Sequence, residues 1–241
     1  MFAGKTYWLI GASEGLGRAL AGLMAAEGAH MILSARNGDR LEALAASLPN
    51  ARALPMDVTD TGSIQSATAE LGEIDGVIYC AGAYEPMTAQ NWDVEQALKV
   101  SEVNFTGALR SLGHVVPGLA AKGAGHIVLI GSLAGFRGLP GAIGYSASKG
   151  ALMQLAENLF MDLRGTGVKV QQINPGFIKT RLTEKNSFDM PFILSAEEAA
   201  IRTLRAMQTR RFATSFPWPM AVFFRLGSVL PIRLFRRLLG A

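Results

Sequence analysis

Short apolar runs alternate along this chain with longer segments of helical periodicity. The runs Thr6–Ile10, Met31–Ser34, Ala51–Met56, Gly76–Cys80, His126–Ile130 and Val168–Ile173 predict strands, with Phe212–Phe216 a candidate seventh. Most are too apolar to have one wet face, as expected when helices cover both sides of a sheet. Between them, Gly15–Glu27, Arg40–Leu48, Ile64–Leu71, a long stretch near Val94–Ala121 and Ala147–Leu163 carry helical patterns. Strand, helix, strand in regular alternation predicts an α/β fold, a doubly wound parallel sheet with right-handed crossovers. No repeat, low-complexity tract or linker interrupts the pattern, so residues 1–241 read as a single domain. Thr180–Leu194, with Asn186, Ser187 and Pro191, reads as a loop beyond a strand end, where such sheets bind ligands.

Composition narrows this picture. The chain is 49% hydrophobic and 17% charged, so it can bury a sizeable core and is not disordered. A single cysteine, Cys80, permits no internal disulfide, which fits a reducing, cytoplasmic setting. The N-terminus runs at once into an apolar strand without the parts of a signal peptide, and no uninterrupted apolar run is long enough for a membrane span. The net charge of +4 is unevenly placed. From Ala199 to Ala241 there are eight Arg and no Asp or Glu, while the rest of the chain is net acidic. Any argument for an anionic partner therefore belongs to the C-terminal segment.

The first strand ends in Gly11-Ala12-Ser13-Glu14-Gly15-Leu16-Gly17. Glycines let the backbone turn sharply and approach a pyrophosphate, and the following helix offers free N–H groups and its positive dipole end. The pattern gains meaning from its place between the first strand and a helix, the setting of a dinucleotide site. The second strand ends Ser34-Ala35-Arg36. An acidic residue there would bind the 2′-hydroxyl of NAD, whereas Arg36 can pair with a 2′-phosphate, so NADP(H) is expected over NAD(H). Glu14 counts against this, because a carboxylate nearby would oppose that phosphate. Asp57-Val58, after the third strand, can accept from the adenine amino group, or Asp57 can serve as a turn or helix-capping residue.

The reacting groups are expected in Ile130-Gly131-Ser132 and Gly144-Tyr145-Ser146-Ala147-Ser148-Lys149. Tyr145 and Lys149 share a helix face, and Ser132 at a strand end can meet them. Carbonyl reduction needs a hydride on carbon and a proton on oxygen. A phenol has a pKa near 10, and a neighbouring lysine cation favours phenolate and lowers that value. The hydroxyl of Ser132 can hold the substrate oxygen as charge develops on it.

With Ser132, Tyr145 and Lys149 in this order, the chain closely resembles the short-chain dehydrogenase/reductase family. The glycine motif, Cys80-Ala81-Gly82, Asn104, and Pro175-Gly176 follow the same family order over roughly Thr6 to Thr180. The resemblance implies a Rossmann domain with a seven-stranded sheet ordered 3-2-1-4-5-6-7. It also implies roles: Tyr145 as general acid/base, Lys149 as its pKa-lowering and ribose-binding partner, Ser132 as substrate anchor. Asn104 resembles the residue that kinks a helix and holds a proton-relay water near Lys149. Ala81 and Gly82 would lie along the adenosine ribose, and Pro175, Gly176, Ile178 and Thr180 along the nicotinamide amide and a phosphate. Two positions depart from the family: Ile10 stands where Thr is usual, and Cys80 where Asn is usual. The three histidines, His30, His114 and His126, have no metal-like spacing, and no metal is expected.

The function expected is NADP(H)-dependent hydride transfer with a ketone, aldehyde or secondary alcohol. The rival is a non-catalytic dinucleotide-sensing module of the same fold. Apolar Phe136, Leu139, Phe177, Phe188, Met190, Phe192 and Ile193 could line a lipophilic substrate's site or simply pack the loops. The resemblance also implies a homodimer or homotetramer through the two long helices. Residues 217–241 form a basic amphipathic segment, with Arg233, Arg236 and Arg237 on one side of a helix and Leu234, Phe235 and Leu238 mostly opposite. It could lie on an anionic membrane surface, or cover the cleft or a subunit interface. Its aromatics form no stacking platform, so no nucleic-acid partner is expected.

Overall fold

The computed structural model describes residues 1–240. Seven parallel strands form one sheet: β1 (Thr6–Ile10), β2 (His30–Ser34), β3 (Ala51–Ala53), β4 (Gly76–Tyr79), β5 (Gly125–Ile130), β6 (Val168–Pro175) and β7 (Ala213–Phe216). Their order is β3-β2-β1-β4-β5-β6-β7, the expected doubly wound arrangement. The chain reverses direction across the sheet between β1 and β4, opening a crevice at their C-terminal ends.

Side-chain alternation along these strands feeds two cores. Leu9, Leu33, Val128 and Ile130 face α1 (Gly15–Ala26), α2 (Gly38–Ala46) and α7 (Ala196–Met207). Trp8, Ile10, Val77, Ile127 and Leu129 face α3 (Thr61–Leu71), α5 (Gly107–Lys122) and α6 (Ile143–Asp162). Burial on both faces explains why the strands read as apolar runs.

Several element boundaries shift by a few residues from expectation, and three of the shifts matter most. The third strand stops at Ala53 rather than Met56, although Leu54 and Met56 still donate to Leu33 and Ala35. Pro55 lies along this sheet edge with its nitrogen toward the open side, where no partner needs an N–H. The stretch Val94–Ala121 is two helices, α4 (Val94–Ser101) and α5, joined by a π turn at Glu102–Thr106. Within that turn the Val103 carbonyl accepts from the Tyr79 hydroxyl at 2.6 Å. Helix α6 begins at Ile143, a full turn before Ala147, which brings Tyr145 onto the same helix as Lys149.

Helix α7 was not anticipated. It starts with a capping box in which Ser195 accepts from the Glu198 N–H while Glu198 accepts from the Ser195 N–H. That Ser-x-x-Glu signature was available in the sequence. The chain ends in α8 (Trp218–Val229) and α9 (Ile232–Leu238). No helix among the described residues is long and apolar enough to cross a membrane.

Candidate active site

The C-terminal ends of the strands surround a cleft of about 590 Å³. Its floor is the loop from β1 to α1. Gly11 has φ +94°, and a Cβ on it would come 2.5 Å from the Ala81 nitrogen. A Cβ on Gly17 would lie 2.0 Å from the Gly11 carbonyl oxygen. Both glycines are therefore required by contact, and Gly11 by its backbone conformation as well. No side chain caps the N-terminus of α1, so its first N–H groups are free to receive an anion. Ser13, Gly15 and Leu16 also line this part of the cleft. Side chains at these glycines would strike protein backbone, so only glycine lets the loop take the form that suits the diphosphate of a dinucleotide.

Arg36 lines the cleft where the second strand ends, beside Asn37 and Arg40. Neither neighbour was singled out from the sequence. Asn37 caps α2 by accepting from Arg40 N–H at 2.9 Å, which sets Arg40 one turn into the helix. Glu14 accepts from Arg40 at 3.3 Å and from Arg181 at 2.7 Å. Two guanidinium groups thus neutralise the carboxylate that had counted against a 2′-phosphate. On the adenine side, Val58 lines the cleft but Asp57 does not. The Oδ1 of Asp57 accepts from both the N–H and the hydroxyl of Thr59, at 2.9 and 2.8 Å, which makes Asp57 a turn residue.

Farther along, Ala81 and Gly82 form one wall, and Pro175, Gly176, Ile178 and Thr180 the other. Ser132, Tyr145 and Lys149 meet between them. Ser132 follows β5, and its hydroxyl accepts from Ala134 N–H at 3.1 Å. Lys149 is buried and donates to the Ile130 carbonyl at 2.9 Å. Burial pushes its ammonium down to about 8. Burial also raises the Tyr145 phenol, against the opposing influence of a hydrogen bond with Ser132. The lowering of the phenol expected from Lys149 is not what prevails in the protein alone, where burial dominates and Ser132 supplies the opposing influence.

Asn104 sits inside the π turn and is fully buried, outside the cleft lining. Its carbonyl oxygen accepts from Ala83 N–H at 2.7 Å, and its amide donates to the Ala83 carbonyl and the Ser148 hydroxyl. The side chain therefore clamps the loop after β4 to the helix that carries Tyr145 and Lys149. Asn104 thus lies in the π turn that separates α4 from α5.

The loop after β6 closes over this end. Asn186 accepts from the Tyr84 hydroxyl at 2.8 Å, and Lys185 pairs with Glu85. The Tyr84 ring stands edge-on to that of Tyr145, with centroids 5.1 Å apart. Tyr84 is a site residue that the sequence did not announce, because only tertiary closure brings it there. Of the expected apolar lining, Phe177 and Phe188 pack edge to face, while Phe136 and Leu139 pack toward the C-terminal helices.

The family model for short chain dehydrogenases matches residues 5–190. The chain belongs to the short-chain dehydrogenase/reductase family. Like its relatives it is an NAD(P)-dependent oxidoreductase. An oxidoreductase of Myxococcus xanthus is 38% identical to it over 239 residues, covering 96% of this chain and 94% of that protein. The 3-oxoacyl-(acyl-carrier-protein) reductase of Escherichia coli is 33% identical over 193 residues, covering 78% and 79%. Among solved structures, a short-chain dehydrogenase from Sphingobium yanoikuyae in complex with NADPH is 27% identical with a TM-score of 0.83, over 94% of this dehydrogenase and 96% of that one. A Burkholderia cenocepacia short chain dehydrogenase in complex with NADP superposes with a TM-score of 0.88 at 23% identity, over 99% of both chains, a likeness of fold.

Proposed function

We propose that this enzyme uses NADP(H) to interconvert a carbonyl compound and its alcohol, with a lipophilic small molecule as substrate and the whole chain acting as one catalytic unit. The carrying observation is the convergence of Ser132, Tyr145 and Lys149 in the same cleft as the glycine loop and Arg36. The nicotinamide, when bound, supplies or accepts the hydride at the substrate carbon.

The remaining chemistry belongs to the protein. Ser132 donates a hydrogen bond to the substrate oxygen, and the Tyr145 hydroxyl delivers its proton to that oxygen during reduction. Since burial holds the phenol protonated, Tyr145 is ready as an acid. Lys149 in its charged form stabilises the phenolate left behind and hydrogen-bonds ribose hydroxyls. Asn104 acts through position, keeping Ser148 and the Ala83 loop in register with Tyr145. Arg36, flanked by Arg40 and Asn37, receives the 2′-phosphate, a reading supported by the NADPH bound to the Sphingobium relative. Asp57 contributes a turn beside the adenine.

Calorimetric titration with NADPH and NADH, beside an Arg36→Ala variant, tests the cofactor. Tighter NADPH binding that disappears in the variant is expected. Equal or tighter NADH binding would remove Arg36 from the argument, and binding of neither would bring the non-catalytic dinucleotide module forward.

A further inference from the structure

The C-terminal helices are anchored firmly on one side and bare on the other. Helix α8 docks through Ala221 and Phe224, and α9 through Phe235. The Phe235 ring lies against Gly227, where a Cβ would come within 2.4 Å of it. Arg137, in the loop after Ser132, donates to the carbonyls of Ser228 at 3.0 Å and Leu230 at 2.6 Å, tying down the turn between the helices. Only Phe235 of the expected apolar face of α9 is buried; Leu234 and Leu238 are exposed.

On the outer side of α8, Trp218, Val222, Leu226 and Val229 recur at helical spacing within a narrow arc. They are 74%, 47%, 61% and 79% exposed. Single exposed apolar residues need no explanation, but a stripe of them on an anchored helix marks an interaction surface. Arg225 on α8 and Arg233, Arg236 and Arg237 on α9 are all exposed, Arg225 reaching the Ser215 hydroxyl at 3.4 Å and lying over the Phe136 ring. None meets a carboxylate among the described residues.

The charge decides which occupant fits. A second copy packed face to face would set arginine against arginine with no acid on either side, and like charges oppose such an interface. An anionic lipid surface satisfies both components at once. Headgroup phosphates pair with the guanidinium groups, while the apolar stripe and the Trp218 ring enter the boundary with the acyl chains. We propose that the α8–α9 hairpin docks this protein peripherally on an anionic lipid bilayer. The proposal does not rest on the cofactor or substrate assigned above. It has a consequence for access, because Pro217 at the start of α8 touches the cleft residue Gly176, where a Cβ would lie 3.1 Å from the proline ring. Trp218 would therefore enter lipid one residue from a cleft wall.

The test is sedimentation of the whole 241-residue chain with vesicles of phosphatidylcholine alone or mixed with phosphatidylglycerol. Binding to the mixed vesicles only, weakening as salt is raised, is expected. The double variant Leu226→Asp, Val229→Asp should lose binding with its circular dichroism and melting temperature retained, since both positions are exposed. The triple variant Arg233→Gln, Arg236→Gln, Arg237→Gln should bind more than about tenfold more weakly. Equal binding to both vesicle types, or to neither, overturns the proposal. So does a dimer in light scattering that the aspartate variant converts to monomer without any loss of vesicle binding, because a second copy would then cover the face.

Discussion

At the N-terminal edge of the sheet, His126 of β5 bonds the Tyr7 hydroxyl of β1 at 3.0 Å and the Gln171 side chain of β6 at 2.9 Å. Near the C-terminal edge, Lys149 reaches the Ile130 carbonyl close to Ser132 and Tyr145. Both ends hold buried groups whose protonation is displaced by burial. Tyr7 is pushed up to about 12 and His126 down to about 4, while Lys149 falls to about 8 and Tyr145 rises. What separates them is the remaining hydrogen-bonding capacity. The Gln171 amide donates to the carbonyls of Ala206, Thr209 and Arg211, so the lower network closes on itself. The upper groups face a cleft, and Lys149 has donors left after Ile130. A displaced pKa is therefore a consequence of burial at either end; reactive capacity comes from the unfilled partners at one.

Substitutions can break this comparison at each end. The largest effect is expected from Tyr145→Phe, which should lower carbonyl reduction about a thousandfold, as loss of a general acid does, with nicotinamide dinucleotide affinity retained by calorimetry. A similar loss from Tyr7→Phe would erase the distinction between the two ends. Next, the lower network should govern acid stability. His126 stays neutral in the fold down to about pH 4, while the unfolded chain takes up its proton near 6.5. Protons then bind preferentially to the unfolded state, so stability is lost as pH falls through this window, by up to about 3 kcal/mol. Denaturant titrations of the protein and of His126→Gln across that range should diverge from each other.

A smaller change is expected at the cofactor end. Arg36→Ala should weaken NADPH binding by about tenfold to a hundredfold and leave NADH binding nearly unchanged. The pH profile sharpens the role of Lys149. Its ammonium is charged below about pH 8, so reductive turnover should decline as pH rises through that value. A profile flat to pH 10 would detach Lys149 from the chemistry. The smallest effect belongs to Glu14→Gln. Its pairs with Arg40 and Arg181 are solvent-exposed, worth up to about 1 kcal/mol, so NADPH affinity should shift by no more than about fivefold.

Much of this was legible along the chain. The parallel sheet followed from apolar runs alternating with helical segments, because burial on two faces leaves its mark on nearly every strand residue. The glycine loop and the Tyr145–Lys149 pair were legible because contacts within one turn or one helix are encoded by spacing. The Ser132 contribution could be read from its strand-end position and its order in the family. Local competition explains the largest error: the π turn split what reads as one long helix.

What only the tertiary structure decided are the partnerships between distant segments. Asn104 meets Ala83 and Ser148, Tyr84 meets Tyr145, and Arg181 reaches back to Glu14, with no periodicity to announce any of them. Asp57 differs from these, because its Oδ1 is taken by Thr59 only two residues on, a local turn that the sequence had left open as an alternative. The apolar and basic content of the C-terminal segment was visible in its residues, but which side chains remain bare depended on Gly227 making room for Phe235. Periodicity specifies which face of an element is apolar; the packing of other elements determines how much of that face is covered.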